Sequence, residues 1–427
     1  MDTASADGSG GPVVLVGYAG AVLATLAKLF PERSLIFIEE PDVIRKRDVR
    51  AATAGSTAMR ELIEWEYQLE GAADSFYHRH RDLQPGAVVP ISEYAVPFAA
   101  RLAERYGAVG AGYGAALLLR DKYLLRQVTA AAGIPNPQSV LVDGPDEVKA
   151  FMAEVGGPIV LKPANRQASV GTKILSDPAE VDESWVECLD QDEGIMMPDR
   201  PLPLRMLAER FVDGEEFSVE MMFAHGRCAF GATTKKFLFD GPRPVERGHL
   251  HPADIDDELN DRLIADTVRV LEAVGMDTGW VHCEWIVEDG VPHLVECAGR
   301  MAGDGIIELV LMAWQYDCVQ QFYDLMQGRP LTVTPPAKAP RYAAVWLAHA
   351  PAGEVETVDG VEEAKAVPGV HTCVATVTAG EQTHELRSSW DRIALVTAEG
   401  ATPDEALANA QQAIDRITVK VRQPIKI

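Results

Sequence analysis

Cysteine is scarce in this chain: six in 427 residues. No two of them are spaced as Cys-x-x-Cys. That excludes a zinc knuckle and a thioredoxin-like redox pair, and leaves free buried thiols in a reducing, cytoplasmic setting as the expectation. Positive charge is scarce too. The 39 lysines and arginines face 64 acids, a formal charge of −25. So acidic a chain is repelled by nucleic-acid phosphates and by anionic bilayers, so neither is an expected partner. No run of about 18 apolar residues offers a membrane span. The opening MDTASADGSGG lacks the basic start and apolar stretch of a secretion signal. A serine-hydrolase elbow, GxSxG, is missing, and so is the Walker loop GxxxxGK[ST].

What is present reads as a globular protein, 47% apolar and 24% charged, long enough for two or three domains at roughly 150 residues each. Residues 1–11 read as a disordered leader. PVVLVGYAGAVLATLAKLF followed by SLIFIEE reads as strand, glycine turn, helix and strand, a parallel βαβ unit. Its turn, Gly17 to Gly20, is half a dinucleotide fingerprint, with Glu39 and Glu40 ending the next strand. Without the third glycine the turn reads as close strand–helix packing. STAMRELIEWEYQLE carries helical spacing, AVVPI is a strand, and YAVPFAARLAERYG is a helix, so residues 12–112 form one open α/β domain.

A second unit, 113–330, divides near 205. In it PIVLKPA, RMLAERFVDGEEFSVEMMF and CAFGATTKKF read as strands, and ELNDRLIADTVRVLEAVGM as an amphipathic helix. WVHCEWIVEDGVPHLVECAGR reads as a hairpin turning at Glu288-Asp289-Gly290, and GIIELVLMAWQYDCVQQFYDLMQG as one long helix. After the proline-rich RPLTVTPPAKAP, residues 331–427 carry short strands and one terminal helix.

Four groups of residues could carry chemistry. Lys162 ends an apolar strand, where an unpaired ammonium is costly, and precedes the small-residue stretch Ala168 to Thr172. Such a stretch can turn backbone N–H groups toward phosphates, or be a plain surface loop. Glu209 and Glu216 flank Phe211-Val212 and a glycine turn, acceptors and apolar walls suited to a nucleoside, or solvated acids on a hairpin. Glu284 and Glu296 lie on the two strands of the later hairpin. If they face each other they repel unless a cation sits between them, and two hard oxygen donors suit Mg²⁺ or Mn²⁺ completed by phosphate and water. Arg300 follows four residues on, placed to balance charge on a phosphoryl group or an oxyanion. Finally, Glu246-Arg-Gly-His249-Leu-His251 invites a zinc reading but supplies no third or fourth ligand. Lys235 and Lys236 are further possible phosphate contacts.

Taken in order, DK at 121–122, Lys162, the 168–172 loop, E-x-F-V-x-G-x-E-F from Glu209 to Phe217 and the Glu284/Glu296 hairpin resemble the ATP-grasp superfamily of carboxylate–amine ligases. VERGHLHPA and VECAGRMAG look most like its L-amino-acid ligase branch, which makes dipeptides. The resemblance implies an α/β (α+β) protein: an ATP-grasp fold behind an N-terminal open α/β domain, with a C-terminal β-containing domain. It implies that Lys122, Lys162, Ser169, Val170, Gly171, Glu209, Phe211, Val212, Glu216 and Lys235 hold ATP, and that Glu284 and Glu296 are magnesium ligands. It implies Arg300 and His249 as catalytic groups, with Glu246, His249, Arg300 and Asp304 around the substrates.

The implied reaction joins a carboxylate, an amino acid, to an amine through an acyl phosphate, releasing ADP and phosphate. The implied partners are small carboxylates and amines, with a homodimer as the expected assembly. Ala298 stands where many relatives have a metal-binding Asn, which leaves a second metal site less defined. Asp304 stands where a dipeptide ligase can place a bulky aromatic, which points to a roomier pocket or a cationic amine. Two other readings stay open: an ATP-grasp carboxylase or nucleotide-precursor ligase, and a non-catalytic ATP-binding regulator.

Overall fold

The computed structural model describes residues 10–190 and 193–423. Most of the leader expected over 1–11 therefore lies outside the described residues.

The first sheet is parallel, with strands β1 (Val13–Val16), β2 (Leu35–Glu39), β3 (Met59–Glu64) and β4 (Ala87–Pro90) in the order β3-β2-β1-β4. β1 and β2 are apolar at successive positions because helices cover both of their faces. Val13, Leu15, Leu35 and Phe37 join one core cluster, whereas Val14, Val16, Ile36 and Ile38 join another. β3 corrects the helix expected over STAMRELIEWEYQLE. Leu35 pairs with Met59 but Ile36 pairs with Glu61, so Arg60 is an extra, bulged residue. The bulge stretches a two-residue alternation into the apolar spacing 59, 62, 63, which imitates a helix. The acid ending β2 serves the protein itself: Glu39 accepts from the backbone N–H of Tyr18 and of Glu40, each at 2.7 Å.

A four-stranded antiparallel sheet follows, β5 (Ser139–Val142), β6 (Ile159–Pro163), β7 (Lys173–Leu175) and β8 (Met206–Arg210), in the order β5-β8-β6-β7. The largest sheet has eight antiparallel strands. These are β9 (Glu215–Ala224), β10 (Arg227–Leu238), β11 (Glu246–His251), β12 (Gly279–Glu288), β13 (Val291–Ala298) and β14 (Tyr342–His349), and, beyond the short strand β15 (Gly353–Asp359), β16 (Val370–Ala375) and, after β17 (Gln382–Thr383), β18 (Arg392–Gly400). Their order is β13-β12-β9-β10-β11-β14-β18-β16, so the sheet runs on past the proline-rich stretch before residue 342. β17, β15 and β19 (Thr418–Arg422) make a small third antiparallel sheet.

The alternation of β9 sets the functional face. Phe217, Val219, Met221 and Phe223 pack with Leu263, Val270 and Leu271 of the helix Asp257–Val274, so Glu216, Ser218 and Glu220 are turned to the other side.

Two further expectations are corrected. The long helix over 305–328 is two helices, Ile306–Trp314 and Cys318–Met326. Gln315 takes a φ of 50° between them, and the Asp317 carboxylate caps the second by accepting from Gln320 N–H. The helix Pro403–Ile414 is not terminal, since β19 follows it, and a short helix, Val361–Lys365, precedes it. At the tip of the β12–β13 hairpin only Asp289 (φ 49°) and Gly290 (φ 75°) form the turn, with Glu288 still paired to Val291. No helix among the described residues is long and apolar enough to cross a membrane.

Candidate active site

The register of β12 against β13 pairs Glu284 directly with Glu296. Directly paired residues on neighbouring antiparallel strands share a face, so the two carboxylates lie side by side. Each is met by a lysine. Lys122 Nζ lies 2.6 Å from Glu296 Oε2 and also donates to the Arg166 carbonyl at 2.9 Å. Lys236 Nζ lies 2.7 Å from Glu284 Oε1, bonds Glu216, and is 3.5 Å from Glu246. Lys236 is buried, so its charge depends on these acids. Burial favours the neutral form of Glu284, but Lys236 and His282 outweigh it and hold this acid well below the usual carboxylate range. Glu296 is likewise lowered: burial opposes its ionisation, and the ammonium of Lys122 prevails. Glu216 moves the other way, raised by burial.

His282 lies beneath Glu284. Its Nδ1 is 2.6 Å from Glu220 Oε1 and its Nε2 is 3.0 Å from Glu284 Oε1. Ionised carboxylates only accept, so both ring nitrogens donate and the ring is an imidazolium. Burial would favour the neutral ring, but the two acids push its pKa up to about 10.

His251 shows the opposite state. Trp314 Nε1–H can only donate, and it reaches His251 Nε2 at 2.9 Å, so Nδ1 carries the proton and faces Thr234 Oγ1 at 2.9 Å. Burial brings its pKa down to about 4. A histidine kept neutral in the fold contributes stability that is fully present above pH 6.5 and is lost as pH falls through 4, in all about 3 kcal/mol. The difference in urea midpoint between the wild type and His251→Gln is therefore expected to shrink from pH 7.5 to pH 5. A gap that stays constant over that range would count against this assignment.

The strand-end lysine is deeply enclosed. Lys162 Nζ is 2.5 Å from Glu209 Oε2, while Arg126 Nε is 2.8 Å from Glu209 Oε1, and all three side chains are buried. Burial works against ionisation of Glu209, but Arg126 and Lys162 overcome it and lower the pKa. Both Glu209 oxygens are thus engaged within the protein. Phe211 is engaged as well: its N–H donates to the Pro158 carbonyl at 3.0 Å and its carbonyl accepts from Arg210. Val212 is the buried apolar residue next to it.

In the loop from Ala168, both Ala168 and Ser169 take φ 57° and Gly171 takes φ 67°. Successive residues of this kind shape a backbone concavity. Ser169 Oγ ties the loop to the Pro244 carbonyl at 2.9 Å, the Ala168 carbonyl accepts from Ser389 N–H at 3.0 Å, and Val170 is buried.

The Arg300 guanidinium lies 3.1 Å from Glu93, on the N-terminal unit, and donates to the Met301 carbonyl at 2.8 Å. His249 pairs with Lys236 across β10 and β11, so it shares that face, and its Nε2 is 3.5 Å from Asp304. The Arg392 guanidinium grips Asp304 with two bonds, 2.6 and 2.8 Å. Glu246 accepts from Ser389 Oγ at 2.9 Å and lies 3.8 Å from Arg392.

Strand alternation thus joins Glu216, Glu246, His249, Glu284, Glu296 and Asp304 through Lys122, Lys236 and Arg392. It does not bring Lys235 to them. Lys235 lies opposite the core residue Phe217 and bonds Glu215, whereas its neighbour Lys236 turns to the acids. Sequence reasoning missed Glu93, Arg126, Glu220, His282 and Arg392. His282 had a readable signal, two residues before Glu284 on an alternating strand. Glu93 and Arg392 had none, because distant segments deliver them. Among the described residues no group of three or more His, Cys, Asp or Glu is arranged to hold a metal.

Two family models match the chain: an ATP-grasp domain over residues 155–308 and the L-amino acid ligase C-terminal domain 2 over residues 346–422. An uncharacterized protein, y4rH, of Sinorhizobium fredii (strain NBRC 101917 / NGR234) is 29% identical over 70% of this chain and 60% of its own length. Alanine–anticapsin ligase of Bacillus subtilis (strain 168) is 24% identical over 56% of this chain and 53% of its own. The chain therefore spans little more than half the length of these curated relatives. The crystal structure of an L-amino acid ligase from Bacillus licheniformis superposes over 97% of this chain and 99% of that one, with a TM-score of 0.78 at 17% identity. That likeness establishes the ATP-grasp fold along the described chain. Both domain matches lie on that fold: an ATP-grasp domain over residues 155–308 and an L-amino acid ligase C-terminal domain 2 over residues 346–422.

Proposed function

We propose that the protein is an ATP-dependent ligase that joins an amino acid carboxylate to an amine through an acyl phosphate. The observation that carries this reading is the in-register pair Glu284 and Glu296, each facing a lysine on one sheet face. A carboxylate is a poor electrophile, so it must first receive the γ-phosphoryl group of ATP. That transfer depends on positioning and on fixed charge.

The donor set fits a hard divalent cation. Two facing carboxylates supply hard oxygens, and the remaining ligands fall to phosphate and water. Mg²⁺ held by Glu284 and Glu296 would screen the charge of the phosphates during transfer. Lys122 and Lys162 would meet the triphosphate, with Glu209 and Arg126 holding Lys162 in place. Val212 would wall the base, and the Ala168–Gly171 turn would cover the phosphates. Lys236, which faces the acids, takes the phosphate role first given to Lys235. Arg300 would steady the acyl phosphate and the oxyanion formed when the amine attacks. Glu93, which binds that guanidinium, presents an acid suited to a substrate ammonium. The C-terminal domain match favours a ligase over a carboxylase.

The test is a pairwise amino acid screen with ATP and Mg²⁺, read by phosphate release and product mass. Phosphate release that needs the amine, with a dipeptide mass, is expected. Release that needs bicarbonate instead, or none with any pair, would overturn the reading.

A further inference from the structure

We propose, resting on the ligase reading above, that the cavity between the N-terminal sheet and the largest sheet receives the side chain of the carboxylate substrate, an amino acid whose side chain is compact and aliphatic. The cavity measures about 100 Å³, and Val22, Ile91, Val96, Trp280 and Met301 are among its apolar walls.

It lies where ligands collect in such folds. The strand order β3-β2-β1-β4 reverses at β1: the chain builds outward to β3, then returns to place β4 on the other side. In open parallel sheets, ligands lie beyond the carboxyl ends of the strands at such a reversal. Ile91 stands just past the end of β4 and Val22 in the helix that follows β1, and both line the cavity. Trp280 of β12 and Met301 line it from the second unit, so the cavity also lies at an interface between units, another preferred place for a ligand.

A charged pair adjoins it. Arg300 lines the cavity, and its Nε is 3.1 Å from Glu93 Oε2. Ile91 and Val96, on either side of Glu93 in the chain, line the cavity too. The two charged side chains are 15% and 8% exposed, enclosed enough for fixed charge to act strongly. An α-amino acid carries an ammonium, a carboxylate and a side chain on one carbon. Glu93 suits the first, Arg300 the second and the apolar cavity the third.

The size and polarity of the cavity set the class of side chain. An apolar cavity of roughly 150 Å³ admits benzene. One of about 100 Å³ is too small for a phenyl group and suits the side chain of valine, leucine or isoleucine. A charged side chain would lose its hydration among these walls. Each methylene that enters them strengthens binding about fourfold.

The experiment holds one amine that the wild type uses at saturation and varies the carboxylate donor among glycine, leucine, phenylalanine and glutamate. The readout is kcat/KM from phosphate release, with the donor identified as the N-terminal residue of the dipeptide by fragment mass. The wild type should favour leucine over each of the others by tenfold or more. Met301→Ala widens the cavity and keeps the backbone carbonyl that accepts from Arg300, so it should raise the phenylalanine-to-leucine ratio tenfold or more. Ala302→Leu fills the cavity from a partly exposed position in its wall, so it should lower the leucine-to-glycine ratio similarly. Where circular dichroism shows that a variant has not folded, the wild-type order and the other variant decide. A wild type that prefers glycine, phenylalanine or glutamate, or folded variants whose ratios do not move, overturns the assignment of the cavity and leaves the ligase reading standing. A wild type that shows no amine-dependent release with any pair overturns the ligase reading, and the assignment of the cavity falls with it.

Discussion

Glu296→Ala and Glu284→Ala are each expected to lose amine-dependent phosphate release by about a thousandfold or more, while their unfolding midpoints stay near wild type. The loss follows from the chemistry: a developing charge on a transferred phosphoryl group is stabilised mainly by fixed ions, and removing one strong contributor costs about 10² to 10³ in rate. Here each carboxylate also orients a lysine, so the cost is compounded.

The retained fold follows from redundancy in the same cluster. Without Glu284, Lys236 keeps Glu216 and Glu246, and His282 keeps Glu220. Without Glu296, Lys122 keeps the Arg166 carbonyl. No buried charge is orphaned in either variant, which is the condition for a modest effect on stability. Arg300→Ala should lose activity similarly but should also lose stability, because it leaves the buried Glu93 without its guanidinium. Activity retained in both glutamate variants would remove the paired acids from the mechanism. Collapse of both would show that they are structural.

How far the sequence could be read depends on whether contacts are local. The Glu284/Glu296 hairpin was legible but its register was not: counted from the two-residue turn, Glu284 would face Val295, and a bulge there brings it opposite Glu296. The chemistry of Lys162 was legible, since a cation at the end of an apolar strand needs a partner. Arg126, which shares Glu209 with it, was not, because it comes from a helix far away in the sequence. β3 was misread because one bulged residue changed the apparent period. The break at Gln315 was misread because apolar residues continue across it, although Asp317 was a readable cap. Lys235 and Lys236 differ only in parity along β10, and parity needs an anchor. The anchor is Phe217, opposite Lys235 in the core. Arg392 reaches Asp304 from a segment 88 residues away, a contact that no local pattern records.

The buried triad of Arg126, Glu209 and Lys162 carries the largest expected effect on stability. Glu209→Leu should destabilise the protein by about 3–5 kcal/mol, because it leaves two enclosed cations facing each other. Lys162→Met should cost less, since Arg126 and Glu209 still pair through Nε at 2.8 Å and Nη2 at 3.4 Å. The deficit of Glu209→Leu should also narrow between pH 7 and pH 9.5. Burial already lowers the pKa of Lys162, and without its acid this lysine sheds its proton more readily still, which relieves the repulsion as pH rises. Urea unfolding of the three proteins at both pH values measures this. If Lys162→Met proved the more damaging change, or the Glu209→Leu deficit were independent of pH, the acid would be shown to act by packing and not by charge.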